Sequence, residues 1–320
     1  MDKLRILFMG TPDFAAGMLD ALLAAGYLIV GVVTQPDRPT GRKKVLTPPP
    51  VKVLAEEHGL FVMQPEKVRD PETLARCAEL LPDVIITAAY GQLLPEKLLQ
   101  LPKLGAFNVH ASLLPKYRGG APIQWAILNG ERETGITLMT MVKKMDAGPI
   151  WAQKKVVISP NATYGQLHDD LVEAGASLLI ETLPQLVAGV LSSVQQVEAQ
   201  ATFAPTLTRK DELLDFTQDA GAVYNRIRAL CPKPGAFTWI GDKQVKIWYA
   251  TPDYGWRGNK VPGQVVEVTP DGIKVACGDG ALILTRLQWE GKTAQNGADF
   301  ARGMKHLDMV RCTPERASCI

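Results

Sequence analysis

The chain has 320 residues, of which 46% are apolar and 21% are charged, and its formal net charge is +2 at pH 7. Such a length and apolar fraction can bury a sizeable core, which excludes a disordered protein and favours two domains. The small net charge also excludes a histone-like polycation.

Cysteines and apolar runs indicate the compartment. The five cysteines are scattered and form no CxxC pair, so we expect reduced thiols and no metal site. The start, MDKLRILFMG, is a short apolar run followed by Asp13 without a small-residue cleavage site, and no apolar run approaches the roughly 20 residues that span a bilayer. We expect a cytoplasmic protein without membrane contact, and a monomer.

The first part of the chain alternates short apolar runs with amphipathic helical patterns. Runs such as LIVGVV and VIITAA are continuous rather than alternating, which is typical of strands buried on both faces of a parallel sheet. The pattern predicts a Rossmann-like α/β domain with a parallel sheet. Strands are predicted at Arg5–Met9, Tyr27–Thr34, Asp83–Tyr90 and Ala106–Val109, and helices at Phe14–Ala25, Val51–His58 and Pro71–Leu81.

The pattern in the middle of the chain predicts the strands at the edge of this sheet and the segment that ends the first domain. The runs ITLMTMV and IWAQKKVVI flank a turn that contains Asp146 and Gly148, which predicts an antiparallel pair at the sheet edge. A helix is predicted at about Tyr164–Val187. Residues 191–205 lack a clear period and are rich in small and polar residues, which indicates a linker between domains 1–190 and 206–320.

The remainder predicts a helix and a small OB-like β-barrel. A helical pattern at Ala220–Leu230 precedes the strand patterns VKIWYA, GQVVEV, IKVACG and ALILTRL, which Gly, Asp and Pro separate. Residues 206–320 carry 16 Lys and Arg against 13 acids. This excess is compatible with a nucleic-acid partner, although chance also explains so small a number.

The first strand leads into MGTPDFAAG, a glycine turn before a helix. The amino end of such a helix could face an anion. The GxGxxG spacing of a dinucleotide site is absent, however, so we interpret the segment as the turn that closes the first strand–helix unit.

A sharper motif is NVHASLLPKYRGGAP, at Asn108–Pro122. Residues two apart on a strand project from the same face, so Asn108 and His110 are expected to point together into the crevice at the carboxyl end of the sheet. Taken alone, such a pair is more often a structural hydrogen-bonding pair. Asp146 from the turn of KKMDAGPI can join it, and a donor amide, an imidazole and a carboxylate together indicate acyl transfer to an amine.

These motifs resemble those of the methionyl-tRNA formyltransferase family along nearly the whole chain. The pattern NVHxSLLPxYRGxxP with a downstream DxGP is similar to the wider group of formyltetrahydrofolate-dependent transferases and hydrolases. The loop TQPDRPTGR and the second domain narrow the resemblance to the tRNA enzymes. The matching segments are GTPDFAA, TQPDRPTGR, AYGQLLP, NVHASLLPKYRGGAPI and MDAGPI.

The resemblance implies transfer of formyl from 10-formyltetrahydrofolate to the amino group of methionyl initiator tRNA, for translation initiation. It implies that Asn108, His110 and Asp146 are the catalytic trio. Our hypothesis for their roles is that Asn108 and His110 hydrogen-bond the oxygen that becomes negative, while Asp146 holds the imidazole and helps to move the amine proton. It also implies two folate-binding segments, formed by Ser112, Leu113, Leu114, Pro115, Tyr90, Gly91, Gln92, Leu93 and Leu94.

The segment between Gln35 and Lys52 is basic and rich in proline, with Asp37 as its one acid. A solvated loop explains this composition, but so does an arm that contacts phosphates. The resemblance implies a tRNA-contacting insertion here, formed by Arg42, Arg38, Lys43 and Lys44. Further phosphate contacts are expected from the second domain, from residues such as Lys210, Arg226, Arg228 and Lys233, although surface solubility explains each of these equally well.

Two other interpretations stay open. A glycinamide ribonucleotide or sugar-nucleotide formyltransferase, or a formyltetrahydrofolate hydrolase, shares the motif, but the basic loop and the barrel count against all three. A noncatalytic RNA-binding protein on a nucleotide-binding fold predicts no turnover, and it leaves the grouping of Asn108, His110 and Asp146 unexplained.

Overall fold

The computed structural model describes residues 3–41, 43–304 and 310–316. The chain divides into two compact units, and each has a seven-stranded sheet. The first unit comprises Met1–Pro122, Glu133–Val157 and His168–Pro205, and the second comprises Ile123–Arg132, Ile158–Leu167 and Thr206–Ile320.

The first unit is an α/β structure, as predicted. In chain order, the elements up to residue 187 are β1 (Arg5–Gly10), α1 (Asp13–Ala24), β2 (Leu28–Val33), β3 (Arg38–Thr40), β4 (Val45–Thr47), α2 (Pro50–Glu57), β5 (Val62–Met63), α3 (Pro71–Glu79), β6 (Val84–Ala88), α4 (Glu96–Leu99), β7 (Ala106–His110), α5 (Pro122–Leu128), β8 (Glu133–Thr140), β9 (Ile150–Val157) and α6 (Tyr164–Val187). The sheet has the order β5-β2-β1-β6-β7-β8-β9. The first five strands of this order are parallel, and β8 and β9 add an antiparallel pair at the edge.

Burial on both faces explains why the central strands are apolar throughout. Every residue of β6 is buried, and five of the six residues of β1 are. Each fully buried large aliphatic side chain stabilises the fold by roughly 1.5–3 kcal/mol. One core cluster of this unit consists of Leu7, Met9, Val33, Met63, Val68, Cys77, Ile85, Tyr90, Leu94, Leu98 and Ala106.

The carboxyl ends of the parallel strands meet at one edge of the sheet. Strand order reverses beside β1, which pairs with β2 on one side and β6 on the other. In open α/β sheets, ligands bind in the crevice at such a point. Here the carbonyl of Tyr90, just after β6, accepts hydrogen bonds from Thr11 Oγ1 (2.9 Å) and Gln35 Nε2 (3.1 Å). These contacts fix the loop that follows β6 against the ends of β1 and β2.

Residues 191–205, predicted as a linker, lie within the first unit. Val194 forms an antiparallel bridge with Ile150 at the start of β9, and Phe203 forms a parallel bridge with Arg118. A 3-10 turn occupies Glu198–Gln200. The segment therefore has backbone partners along its length, while the functional boundaries 1–190, 191–205 and 206–320 stay a prediction.

The second unit contains a small β-barrel with helices. Its elements are α7 (Ala220–Ala229), β10 (Ala236–Ile240), β11 (Lys243–Asp253), β12 (Val265–Val268), β13 (Ile273–Ala276), β14 (Ala281–Trp289), β15 (Gln295–Asn296), α8 (Gly297–Arg302) and β16 (Cys312–Thr313). Six strands of the sheet follow the order β12-β13-β14-β11-β10-β16, and the seventh, β15, pairs with β14. The backbone of Val265 donates to Val310 (3.1 Å) and that of Cys312 donates to Gly263 (2.8 Å), which joins the two ends of this path. The barrel prediction is thus confirmed.

Helix α7 covers one part of the barrel core. Asp219 caps the helix, because its carboxylate accepts a hydrogen bond from the backbone of Ala222 at 2.9 Å. Val223 and Ile227 are buried, four residues apart on the inner face. Among the helices that the described residues form, none combines the length and hydropathy needed to cross a membrane.

Candidate active site

Strand β7 carries the amide of Asn108 to the carboxyl end of the sheet. Asn108 lies opposite Thr87 of β6, and the Thr87 hydroxyl donates to Asn108 Oδ1 at 2.8 Å. Thr87 is buried, whereas Asn108 is half-buried. Since the amide oxygen is engaged, the side chain presents its NH2 group as a donor for a ligand.

His110 lies two residues further along β7 and is held through one ring nitrogen. Its Nε2 donates to the carbonyl oxygen of Tyr117 at 3.0 Å, and the residue is 6% exposed. Tyr117 has φ of 62°, a left-handed conformation that costs a bulky residue about 1–3 kcal/mol. The backbone around the motif thus fixes the orientation of the imidazole, and Nδ1 is the nitrogen left to act.

The carboxylate of Asp146 lies on the Nδ1 side of this ring. Its Oδ2 is 3.8 Å from His110 Nδ1 and accepts a hydrogen bond from the backbone of Gly119 at 2.9 Å. Asp146 has φ of 50°, which Asp tolerates better than most residues. A Cβ on Gly148 would lie 1.8 Å from the carbonyl oxygen of Thr140, so the turn requires glycine there. The structure thus brings the side chains of His110 and Asp146 together.

The 3.8 Å separation has a chemical consequence. It is too long for a hydrogen bond between the ring and the carboxylate, yet the two groups are close enough to attract each other when the ring is charged. An N–H group of a bound amine, with its nitrogen about 2.9 Å from both His110 Nδ1 and Asp146 Oδ2, could donate to both atoms. The site therefore combines a neutral amide donor with an imidazole and a carboxylate that can take up a proton, which suits attack by an amine on a carbonyl.

The segment 112–115 folds against strand β8 through Thr137. The Thr137 hydroxyl donates to the carbonyl of Ser112 (2.6 Å) and accepts from the backbone of Leu114 (3.1 Å). The Ser112 hydroxyl donates to the carbonyl of Lys116 (2.7 Å), and both Ser112 and Leu114 are buried. These two residues therefore hold the loop in shape, while Leu113 and Pro115 are half-buried at its surface.

The second predicted folate segment, 90–94, divides in the same way. Tyr90 and Leu94 belong to the core cluster, at 4% and 7% exposure. Gln92 accepts a hydrogen bond from the backbone of Val68 at 2.8 Å. Gly91 and Leu93 are exposed, Leu93 to 72%. The side chain of Leu93 and the backbone of Gly91 are thus available to a ligand at the carboxyl end of β6.

The basic segment forms an antiparallel hairpin of β3 and β4, which we call the basic hairpin, residues 38–47. Arg38 is paired with Glu66 at 2.6 Å. Lys43 and Lys44 are exposed, and within the described part of the chain neither has an ion-pair partner. Arg42, the other predicted tRNA contact, lies outside the described residues.

The four basic residues predicted as phosphate contacts in the second unit differ in how far their side chains are exposed and already bonded. Arg228 is 6% exposed, its Nη1 donates to the carbonyl of Ala162 at 3.0 Å, and burial lowers the pKa of Arg228. Arg226 donates to the carbonyl of Asp211 at 2.7 Å. Lys210 and Lys233 are exposed. Arg228 is therefore a structural residue rather than a candidate phosphate contact.

Sequence reasoning missed the residues that support the trio. Thr87, Gly119 and Thr137 contribute single backbone or hydroxyl groups that no motif marks as functional. Gln196 falls in the predicted linker, although its amide Nε2 donates to the carbonyls of Asp146 (2.9 Å) and Gly148 (2.8 Å). Gly119 lies inside the motif NVHASLLPKYRGGAP, which could have marked it as a candidate. No sequence pattern marks Gln196.

Two family models match the chain, one over each half. Residues 3–183 match the model described as formyl transferase, and residues 206–305 match that of the formyl transferase C-terminal domain. The methionyl-tRNA formyltransferase of Bacillus subtilis (strain 168) is 52% identical over 300 residues, which cover 93% of this chain and 94% of that protein. The methionyl-tRNA formyltransferase of Enterococcus faecalis (strain ATCC 700802 / V583) is 47% identical over 301 residues, 94% and 96% of the two chains.

Solved structures share the fold at lower identity. An N-formyltransferase from Helicobacter canadensis, in complex with folinic acid and dTDP-3-aminofucose, has a TM-score of 0.67 at 19% identity and covers 88% of this chain and 98% of its own. HypX from Aquifex aeolicus, in complex with tetrahydrofolic acid, has a TM-score of 0.62 at 20% identity. The match covers 93% of this chain but 47% of HypX.

Proposed function

The chain belongs to the methionyl-tRNA formyltransferase family, and from this premise we propose that it transfers the formyl group of 10-formyltetrahydrofolate to the amino group of methionyl initiator tRNA. The observation that carries the chemistry is the arrangement of His110 Nδ1 and Asp146 Oδ2, 3.8 Å apart and unbonded to each other, beside the oriented amide of Asn108. The names of relatives that match both halves of the chain support the acceptor.

In the proposed reaction the methionyl amine attacks the formyl carbon directly. As the nitrogen–carbon bond forms, the electrons of the C=O bond move to the oxygen, which becomes negative. The Asn108 amide donates a hydrogen bond to that oxygen, as does His110 through Nδ1–H when the ring carries both protons. Donors held in place before the reaction stabilise this charge without reorganisation.

The amine must also lose a proton, and Asp146 is the proposed acceptor. Its Oδ2 is held by the Gly119 amide on the side of His110 Nδ1. When the bond between the formyl carbon and N10 of the folate breaks, N10 takes up a proton, so the proton lost by the amine balances the one gained by the leaving group. The step needs no covalent bond to the enzyme.

For the folate, we propose contacts from the more exposed members of the two predicted segments. Leu93 offers an apolar surface and Gly91 offers accessible backbone, while Leu113 and Pro115 are the half-buried members of the other segment. The members that pack or bond within the protein act by keeping both loops in shape; they are Tyr90, Gln92, Leu94, Ser112 and Leu114. The folate-bound structures of similar fold support a folate donor.

For the tRNA, we propose the basic hairpin as the phosphate-contacting surface. Lys43 and Lys44 lie at its tip, and Arg42 stands between Gly41 and Lys43 in the sequence. Arg38 contributes less, because its guanidinium already pairs with Glu66. We also propose that the protein is a cytoplasmic monomer that needs no metal ion.

Replacing Asp146 by Asn tests the proposed chemistry. The amide keeps the size of the side chain but cannot accept a proton, so we expect turnover with methionyl-tRNA to fall about 100-fold or more. Binding of the folate, measured by fluorescence or calorimetry, is expected to stay unchanged. Turnover close to wild type in Asp146→Asn would contradict this role of Asp146.

A further inference from the structure

The turn that carries Asp146 has little support of its own. Residues 142–145 are all exposed, and Asp146 has a left-handed backbone. A carboxylate that must meet an amine within hydrogen-bonding distance needs a backbone fixed to a fraction of an ångström. Something outside the turn must therefore hold it.

The side chain of Gln196 supplies that support. Its Nε2 donates to the carbonyls of Asp146 (2.9 Å) and Gly148 (2.8 Å), and so uses both amide protons on the two sides of Ala147. The carboxylate end of Asp146 is fixed separately by the backbone of Gly119. Asp146 is thus held at its carbonyl by one segment and at its carboxylate by another.

Arg118 fixes Gln196 in turn. The Arg118 side chain is 1% exposed, and its Nε and Nη2 both donate to Gln196 Oε1, at 3.1 and 2.9 Å. Its Nη1 donates to Glu198 at 3.0 Å, and Glu198 also pairs with Lys144 of the turn. Because the guanidinium fork occupies the oxygen of Gln196, the amide nitrogen must point at the turn.

The backbone also packs the segment that carries Arg118 and Gly119 against the segment that carries Gln196. Arg118 is the residue before Gly119, the donor to the Asp146 carboxylate. The backbones of Arg118 and Ala204 pair at 2.7 Å, and a Cβ on Gly119 would lie 2.6 Å from the carbonyl oxygen of Ala204. The motif segment and the 191–205 segment are therefore packed too closely to slide past each other.

We propose that Gln196, locked by Arg118, is a positioning residue for Asp146, so that Gln196 belongs to the site of formyl transfer rather than to a linker. This inference rests on the proposed role of Asp146 in formyl transfer. It predicts that a substitution at Gln196 lowers turnover without weakening the binding of either substrate. The loss should occur only when residue 146 is an aspartate.

The test is a double-mutant cycle of Gln196→Glu and Asp146→Asn. A glutamate at 196 keeps an oxygen for Arg118 but cannot donate to the two carbonyls. We expect Gln196→Glu to lower kcat by about tenfold to 100-fold, the order that a misplacement of about 1 Å costs, with KM for the folate and the tRNA little changed. In the Asp146→Asn background the same change should cost nothing further.

The neighbouring change Gln195→Glu is the matched control, because Gln195 is exposed and the change adds the same charge one residue away. Wild-type kcat in Gln196→Glu, or an equal loss in both backgrounds, would overturn the inference. A loss equal to that of Gln195→Glu would do the same, since charge alone would explain it. If Asp146→Asn itself kept full turnover, the proposed function would fail first, so the two failures are distinguishable.

Discussion

The amide of Asn108 is oriented by the protein before any substrate binds. The buried hydroxyl of Thr87 holds its oxygen, and the carbonyl of Tyr117 fixes His110 in the same way. In the proposed reaction each side chain therefore offers one defined group to the reacting atoms, the NH2 of Asn108 or the Nδ1 of His110. Orientation of this kind removes the cost of reorganising donors during the reaction.

Replacing Asn108 by Asp separates this donor function from packing. Aspartate keeps the size of the side chain and an oxygen for Thr87 but lacks the NH2 group. Loss of one oxyanion donor costs about 100-fold to 1000-fold in turnover, and we expect a loss of that order in steady-state kinetics, with the melting temperature close to wild type. Asn108→Ala should behave alike, and near-normal turnover in either variant would refute the assigned role.

At the residue scale, the sequence predicted groups that act through their own side chains. Asn108 and His110 alone would fit a structural pair, and it is the surrounding motif, with Asp146 downstream, that marks the three as candidates. Thr87 and Gln196 act through other residues, and Gln196 lies 50 positions from Asp146 in the chain. Such contacts depend on tertiary packing, which no local pattern encodes.

At the scale of elements, hydrophobic periodicity predicted the main strands and helices because burial decides their residues. The helix expected at Tyr164–Val187 has those bounds. Shorter elements were not predicted, because their patterns are weak. The sequence of β10, AFTWI, does not alternate, and each strand of the basic hairpin has only three residues. The 191–205 segment lacks a period because single bridges and side-chain contacts hold it, rather than a continuous face.

The basic hairpin gives a prediction at this scale. Changing Arg42, Lys43 and Lys44 together to Ala should weaken binding of methionyl-tRNA. The slope of log affinity against log salt should become shallower, by about one unit for each phosphate that the protein no longer neutralises. Binding of 10-formyltetrahydrofolate should not change. The control is Lys97→Ala, an exposed lysine on α4.

An unchanged salt slope in the triple variant would mean that the hairpin makes no phosphate contact. Loss of folate binding together with tRNA binding would instead indicate misfolding of the first unit, which circular dichroism would reveal.

At the scale of the whole molecule, each unit has its own core and sheet, and a family model matches each. The trio, both candidate folate segments and the basic hairpin all lie in the first unit. The proposed chemistry therefore falls within one unit. A test of the proposed function must therefore identify the acceptor as well as the transfer itself.

The most direct measurement is transfer of labelled formyl from 10-formyltetrahydrofolate by the purified full-length protein, with several acceptors in competition. These are methionyl initiator tRNA, the same tRNA uncharged, glycinamide ribonucleotide, an amino-sugar nucleotide and water. We predict label on the charged initiator alone, as a formyl group on the methionine nitrogen. Release of formate, or label on another amine in preference to methionyl-tRNA, would contradict the account.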